Sequence, residues 1–457
     1  MSAIKVVVLG LLMVISHLRA VLANTCDPET EDSPSVMASP ENSMVADDDS
    51  SRFPNTNPWL PYYYYRPTAP QFSTAVNTKT TPLFVPFTSC TSPNRETGIC
   101  ANSIACNRYG GRASGSCTGG RVCCINMVTN TCDDANQKVI TIDNTYWLSP
   151  TMGTSSSTAS CGVTIKLDAK LPEQGKAVCQ VRLNFNMFSI GQPDVESVCS
   201  TDTFDVMGAS NKIPTICGDN DGQHMYLNVP PSSTSPTDLQ LAFNFGTNSN
   251  SIRGWNILIS MIPCDSINLA PPDCLQYFTA RSGTIKSFNW RDIAGTATRQ
   301  LANQDYSICF RTTPGATKTL CVTPCTVIST GAKAFSVSSA ITIPVPDPVA
   351  ISADVSQLGS LNCNNDFLII PEGFNIGNPV AVANMAFDRF CGERLNALPG
   401  NGASTTICTT ATPFRLIYHT NGDETTTDTK DAIPVDGVAV TIPTNGNRGF
   451  CLNFKNQ

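Results

Sequence analysis

A chain of 457 residues is long enough for about three domains. Only 14% of it is Asp, Glu, Lys or Arg and the net charge is −7, so there is no basic footprint for nucleic acid or anionic lipid. Twenty of its 21 cysteines follow residue 89, a density that excludes an ordinary cytosolic protein.

The first 23 residues read as an export signal. Lys5 gives a positive start, residues 6–15 an apolar core, and Val21-Leu22-Ala23 a small-residue cleavage site. That apolar run is too short to span a bilayer, and no later stretch is long enough. The expectation is a secreted, extracellular protein without a membrane span, whose cysteines pair in an oxidising compartment.

Residues 24–85 are expected to be a disordered acidic and Pro-rich linker. Eight acids stand against Arg52 alone between residues 24 and 52, and Leu, Ile and Val are too few to bury a core. Tyr62 to Tyr65 run between prolines, which reads as sticky linker; docking or tyrosine cross-linking is the sharper alternative. Cys26 lies in this segment and is the odd cysteine. It either takes a small thiol cap or links two chains as a disulfide dimer.

Residues 86–126 hold Cys90, Cys100, Cys106, Cys117, Cys123 and Cys124. A module this small lacks a sufficient apolar core, so disulfides supply its stability. Six cysteines allow fifteen connectivities, and the spacing alone selects none. No histidine lies near them, and export disfavours a thiolate metal site.

From residue 127 the pattern turns to strands. Val181, Leu183, Phe185 and Met187 alternate with polar residues, as do Leu239, Leu241, Phe243 and Phe245, and Met225, Leu227 and Val229. Period two with one apolar face predicts half-buried strands, and turn signals at 191–194, 218–222 and 230–232 separate them. This predicts antiparallel β-sandwiches. The one stretch suited to a short helix is 381–395. Pro271-Pro272 divides two regions of similar size, 127–268 and 269–457. Each contains a Cys with Asp three residues on (Cys199 and Asp202; Cys363 and Asp366), then Cys217-Gly218 or Cys391-Gly392. Each ends in Gly254-Trp255 or Gly449-Phe450, so one module is present twice.

These features resemble the CUB domain, a secreted β-sandwich with two characteristic disulfides. In the first copy the resemblance rests on Cys132, on the segment from Thr145 to Pro150, and on Cys161-Gly162-Val163. Residues 181–188, Cys199, Cys217-Gly218 and Gly254-Trp255 complete it. In the second it rests on Cys274, residues 283–289, Cys309, Cys363, Cys391-Gly392 and Gly449-Phe450. More narrowly, four strings resemble a family of secreted arthropod CUB proteins. They are Gly222-Gln223-His224-Met225-Tyr226, Cys274-Leu275-Gln276-Tyr277-Phe278-Thr279, Leu301-Ala302-Asn303-Gln304, and the segment from Asn447 to Asn453. The six-cysteine block resembles the clip domain. The whole is therefore expected to be all-β, with two tandem CUB-like sandwiches preceded by a small disulfide-rich clip-like module.

The resemblances imply pairings. A clip pattern implies Cys90–Cys123, Cys100–Cys117 and Cys106–Cys124. The CUB pattern implies Cys132–Cys161, Cys199–Cys217, Cys274–Cys309 and Cys363–Cys391, which leaves Cys179 and Cys264 for each other. Cys321, Cys325, Cys408 and Cys451 retain three possible pairings. CUB domains that bind calcium use an Asp shortly after the third cysteine, a place that Asp202 and Asp366 occupy. Asn248 and Asp423 lie near the place of a later ligand, and ordinary turn hydrogen bonds are the competing role for both aspartates.

No nucleophile–base motif is present. Beyond the signal the only histidines are His224, on an alternating strand, and His419, at a strand end. The expectation is a non-catalytic protein without a cofactor that recognises an extracellular protein or glycan. The alternatives are a non-catalytic cofactor of a clip-protease cascade and a structural matrix component.

Overall fold

The computed structural model describes residues 84–129, 131–132, 138–150, 159–247, 252–294, 299–312, 318–330, 332–337, 356–359, 363–377, 388–422 and 447–457. The export signal, Cys26, the acidic segment and the tyrosine run lie outside them. Among the described residues no helix is long and apolar enough to cross a membrane.

The disulfide-rich module comprises β1 (Phe84–Thr91), β2 (Thr97–Ala101), α1 (Ser103–Arg108), β3 (Arg112–Cys117) and β4 (Arg121–Val128). β2 pairs with β1 and β4, and β3 with β4, all antiparallel. Asn102 starts α1 by accepting the Ile104 N–H at 2.9 Å. Six residues are too few for a helical period to show in the sequence, and this helix was not foreseen. The disulfides are Cys90–Cys123, Cys100–Cys117 and Cys106–Cys124. Gly111 is required beside the last of these, since a Cβ there would sit 2.4 Å from Cys124 Sγ.

The first sandwich contains β5 (Lys138–Ile140), β6 (Thr145–Leu148), β7 (Ala159–Leu167), β8 (Val178–Ser189), β9 (Asp202–Met207), β10 (His224–Asn228), β11 (Thr237–Phe245) and β12 (Gly254–Pro263). One sheet runs β5-β7-β11-β9. The other runs β1-β2-β4-β6-β12-β8-β10 and so absorbs the disulfide-rich module. Between them pack Trp147, Phe185, Phe188, Phe204, Phe243 and Trp255, with ring centroids 4.3 Å apart for Phe243 and Trp255 and 5.5 Å for Phe188 and Phe204. The alternation along β8 holds only to Phe185. A bulge opposite Asn256 and Ile257 inserts Asn186, which shifts the phase by one residue. Phe188, not Met187, therefore enters the core. Cys132–Cys161, Cys179–Cys264 and Cys199–Cys217 close this sandwich.

The second sandwich contains β13 (Cys274–Phe278), β14 (Ser282–Lys286), β15 (Asp305–Phe310), β16 (Leu320–Pro324), β17 (Phe335–Ser336) and β18 (Ser356–Leu358). It continues with β19 (Phe367–Ile369), β20 (Phe374–Asn375), β21 (Arg389–Gly392), β22 (Ile407–Thr409), β23 (Arg415–His419) and β24 (Gly449–Asn456). Its sheets run β13-β15-β23-β19-β21-β18 and β14-β24-β16-β22-β20, with β17 on β24. The short helix expected over 381–395 does not form in its described part. Arg389–Gly392 is instead a strand held between β18 and β19, and 381–387 lie outside the described residues. Register decides the four cysteines with open pairings. Cys321 stands directly opposite Cys408 and bonds it, and Cys325 bonds Cys451. Cys274–Cys309 and Cys363–Cys391 complete the set.

Candidate binding surface

The three disulfide-bonded parts meet at two junctions. At the first, β4 adds to β6 in parallel, with Asn126 opposite Thr145 and Val128 opposite Trp147. The Asp143-Asn144 turn anchors it. Asp143 accepts the Met261 N–H at 2.7 Å, while Asn144 accepts from Ser260 Oγ at 2.7 Å and donates to Ser89 Oγ at 3.1 Å. Tyr146 accepts the Thr97 N–H at 2.8 Å. Burial raises the Asp143 pKa to about 6, against the two backbone N–H groups that stabilise the carboxylate.

At the second junction β10 of the first sandwich lies against β13 of the second. Met225 and Leu227 face their own core, and β13 buries the opposite face. His224 Nε2 accepts the Tyr277 N–H at 3.0 Å, and Gln276 donates to Gln223 at 3.0 Å. Gln180 exchanges two bonds with the Ala270 backbone, at 2.8 and 2.9 Å. Asn289, fully buried, accepts from Asp219 N at 2.9 Å and donates to Gln192 at 3.0 Å and to the Arg299 carbonyl at 2.9 Å. A positive φ of 65° at Asn289 suits asparagine, which tolerates that region better than most residues. Burial, and secondarily the nearby Arg182 cation, lowers the His224 pKa to about 3, so the ring is a neutral acceptor. The apolar cores of the two sandwiches are contiguous.

The outer sheet of the first sandwich carries a depression of about 500 Å³. Register explains it. Across β7, β11 and β9 the outward residues form three rows: Thr164, Gln240 and Met207; Gly162, Ala242 and Asp205; Ser160, Asn244 and Thr203. The middle row has almost no side chain on two of its strands. A trough therefore crosses the strands, with Asp205 at one end. The Asp205 carboxylate accepts from Thr215 at 2.6 Å, Thr203 at 2.7 Å and Asn244 at 3.1 Å. The trough is invisible in the sequence, because Gly162 and Ala242 are 80 residues apart and only pairing puts them side by side.

The aspartates singled out from the sequence sit elsewhere. Asp202 is buried in an ion pair with Arg253, at 2.7 and 2.9 Å, and also accepts from Gly191 N and Gly246 N. With a guanidinium against both oxygens, this carboxylate is already neutralised and does not fit a calcium ion. Asp366 accepts from Gln300 Nε2 and Asn421 N, both at 2.8 Å. Asn248 and Asp423 lie outside the described residues. His419, half-buried, stacks on Phe367 with ring centroids 4.9 Å apart, and burial lowers its pKa. The two histidines lie on different sandwiches, and His224 spends its free nitrogen on a backbone N–H.

The family model for the animal CUB domain matches residues 271–457, the second sandwich. No curated protein matches the chain. Among solved structures, the CUB1-EGF-CUB2 domains of rat MASP-1 are 12% identical over 72% of this chain and 99% of theirs, with a TM-score of 0.20. The CUB1-EGF-CUB2 domain of human MASP-1/3 is 12% identical over 67% of this chain and 95% of its own, with a TM-score of 0.19. The full extracellular region of zebrafish Gpr126/Adgrg6 is 12% identical over 70% of this chain and 36% of its own, with a TM-score of 0.22.

Proposed function

We propose that this chain is a secreted, non-catalytic binding protein that recognises an extracellular protein or glycan. The observation that carries the reading is the open polar trough on the first sandwich, the kind of concave site with convergent polar groups at which ligands bind. Ten disulfides support an oxidising, extracellular setting. The CUB match over 271–457 supports extracellular recognition by analogy of fold. The test is affinity capture from extracellular fluid under native, non-reducing conditions, with wild type beside Ala242→Trp. A specific partner retained by wild type and lost by the variant is expected. Equal capture by both, or none by either, contradicts the reading.

A second reading, a non-catalytic cofactor of a clip-protease cascade, is favoured by one observation. The three bonds of the N-terminal module are those the clip resemblance implies. Its exposed α1 would be the contact, with Ile104 presented to solvent at 69% exposure. If Ile104→Glu leaves protease activation unchanged in a reconstituted assay, this reading fails. A disulfide dimer through Cys26 belongs to either reading. A dimer band that disappears with reductant, and in Cys26→Ser, is its signature.

A further inference from the structure

Resting on the binding reading, we infer that the trough is a subsite for a neutral saccharide. Three features select that chemistry. The first is direction. The trough crosses the strands at the middle of a sheet, and β11 is paired on both sides, so its backbone groups are consumed by the ladder. β9, where the trough ends, is the terminal strand, but the Phe204 backbone on its outer side is already bonded to Ile216. A peptide adding a strand there would have to displace that bridge and would run along the sheet edge, not across the trough.

The second is charge. Among the described residues, Asp205 is the one charged residue lining the trough, and no Lys or Arg is among the lining residues. Phosphate, sulfate and sialic acid carry the same sign as Asp205 and would be repelled. The third is hydrogen-bonding capacity. The walls present amides at Gln240 and Asn244 and hydroxyls at Thr164 and Ser160, beside the Asp205 carboxylate. Ser160 donates to Asn244, which donates to Thr203 and Asp205, so part of the wall is bonded to itself. Sugar hydroxyls both donate and accept, so they match this mixed set of amide, hydroxyl and carboxylate groups. The floor of Gly162 and Ala242 is free of bulk and accepts the C–H face of a pyranose ring. Asp205 is already oriented by Thr203, Thr215 and Asn244, which preorganises the acceptor before a ligand arrives.

Saturation-transfer NMR with the full chain tests this, using methyl mannoside, methyl galactoside, N-acetylglucosamine and its disaccharide as probes, and N-acetylglucosamine 6-sulfate as the anionic control. At least one neutral probe is expected to bind, at millimolar strength, and at least tenfold more tightly than the sulfate. Ala242→Trp fills the floor and is expected to abolish the signal. Gln240→Ala and Asn244→Ala, at exposed positions outside the core, are expected to weaken it at least tenfold each. Val195→Ala, at a site 73% exposed and outside the trough lining, should leave it unchanged. Absence of saturation with every neutral probe overturns the assignment, as does a signal that survives these trough substitutions. Failure here is separable from failure of the binding reading. A partner captured through the trough after enzymatic removal of its glycans would retain a binding protein and reject the saccharide.

Discussion

The two junctions hold neighbouring modules by opposite means. The first is a continuation of a β-sheet, in which β4 pairs with β6 and backbone groups satisfy one another. Among the described residues the second has no shared ladder between its sheets. Side-chain amides and one imidazole reach across and cap backbone groups of the other sandwich. A ladder tolerates many side chains, while the second arrangement depends on particular ones. The difference extends to acid. The first junction buries a carboxylate whose pKa is raised, and the second buries a histidine whose pKa is lowered.

Four substitutions break or sharpen that contrast. Asn289→Ala should have the largest effect, because it removes three hydrogen bonds at a fully buried, positive-φ position. A loss of about 3 kcal/mol is expected in denaturant unfolding, the cost of leaving several buried partners unmade. A loss below about 1 kcal/mol would mean that the second junction does not depend on particular side chains.

The next effect is at His224. Its folded pKa of about 3 lies below the ordinary histidine value of 6.5, so the unfolded chain binds a proton first. Stability from this group is complete above about pH 6.5 and falls as the pH drops towards 3, by a few kcal/mol in all. Arg182 faces the ring from β8, Tyr226 from its own strand, and Tyr277 and Phe278 from β13. His224→Gln should flatten this slope in a titration of thermal midpoints; an unchanged slope would assign it to other groups.

Asp143 should act in the reverse sense and more weakly. Its folded pKa of about 6 lies above the ordinary aspartate value of 3.8, so the folded chain takes up the proton first. Stability from this group rises as the pH falls from about 6 to 4, by about 2–3 kcal/mol. In Asp143→Asn that rise should vanish, and its persistence would contradict the assignment. The smallest effect belongs to Tyr146→Phe, which removes one bond from Thr97 N beside an intact ladder. About 1 kcal/mol is expected, read from the chemical denaturation midpoint. A loss as large as that of Asn289→Ala would erase the contrast between ladder and side-chain junctions.

Much of the fold was legible because period-two alternation is local. The strands around Leu183, Leu227 and Leu241 form where the apolar spacing puts them. What was not legible depends on partners distant in sequence. The bulge at Asn186 is set by pairing with β12. His224 and Tyr226 look like the solvent face of a strand until β13 covers them. The trough exists only once Gly162 and Ala242 are in register. Three of the four strings that carried the narrower resemblance converge at the second junction, through Gln223 and His224, Gln276 and Tyr277, and Ala302 and Gln304. Those strings specify how the sandwiches are held together. The residues that line the trough lie in none of these strings.

Hydrogen exchange at the Tyr277 amide tests the locking of the two sandwiches most directly, since that N–H ends on His224 Nε2. At pH 7 its protection should equal that of core amides in β11. At pH 4, after correction for intrinsic exchange, it should fall further than theirs. A Tyr277 amide that exchanges at pH 7 as fast as an exposed loop would show the sandwiches moving independently and contradict the lock.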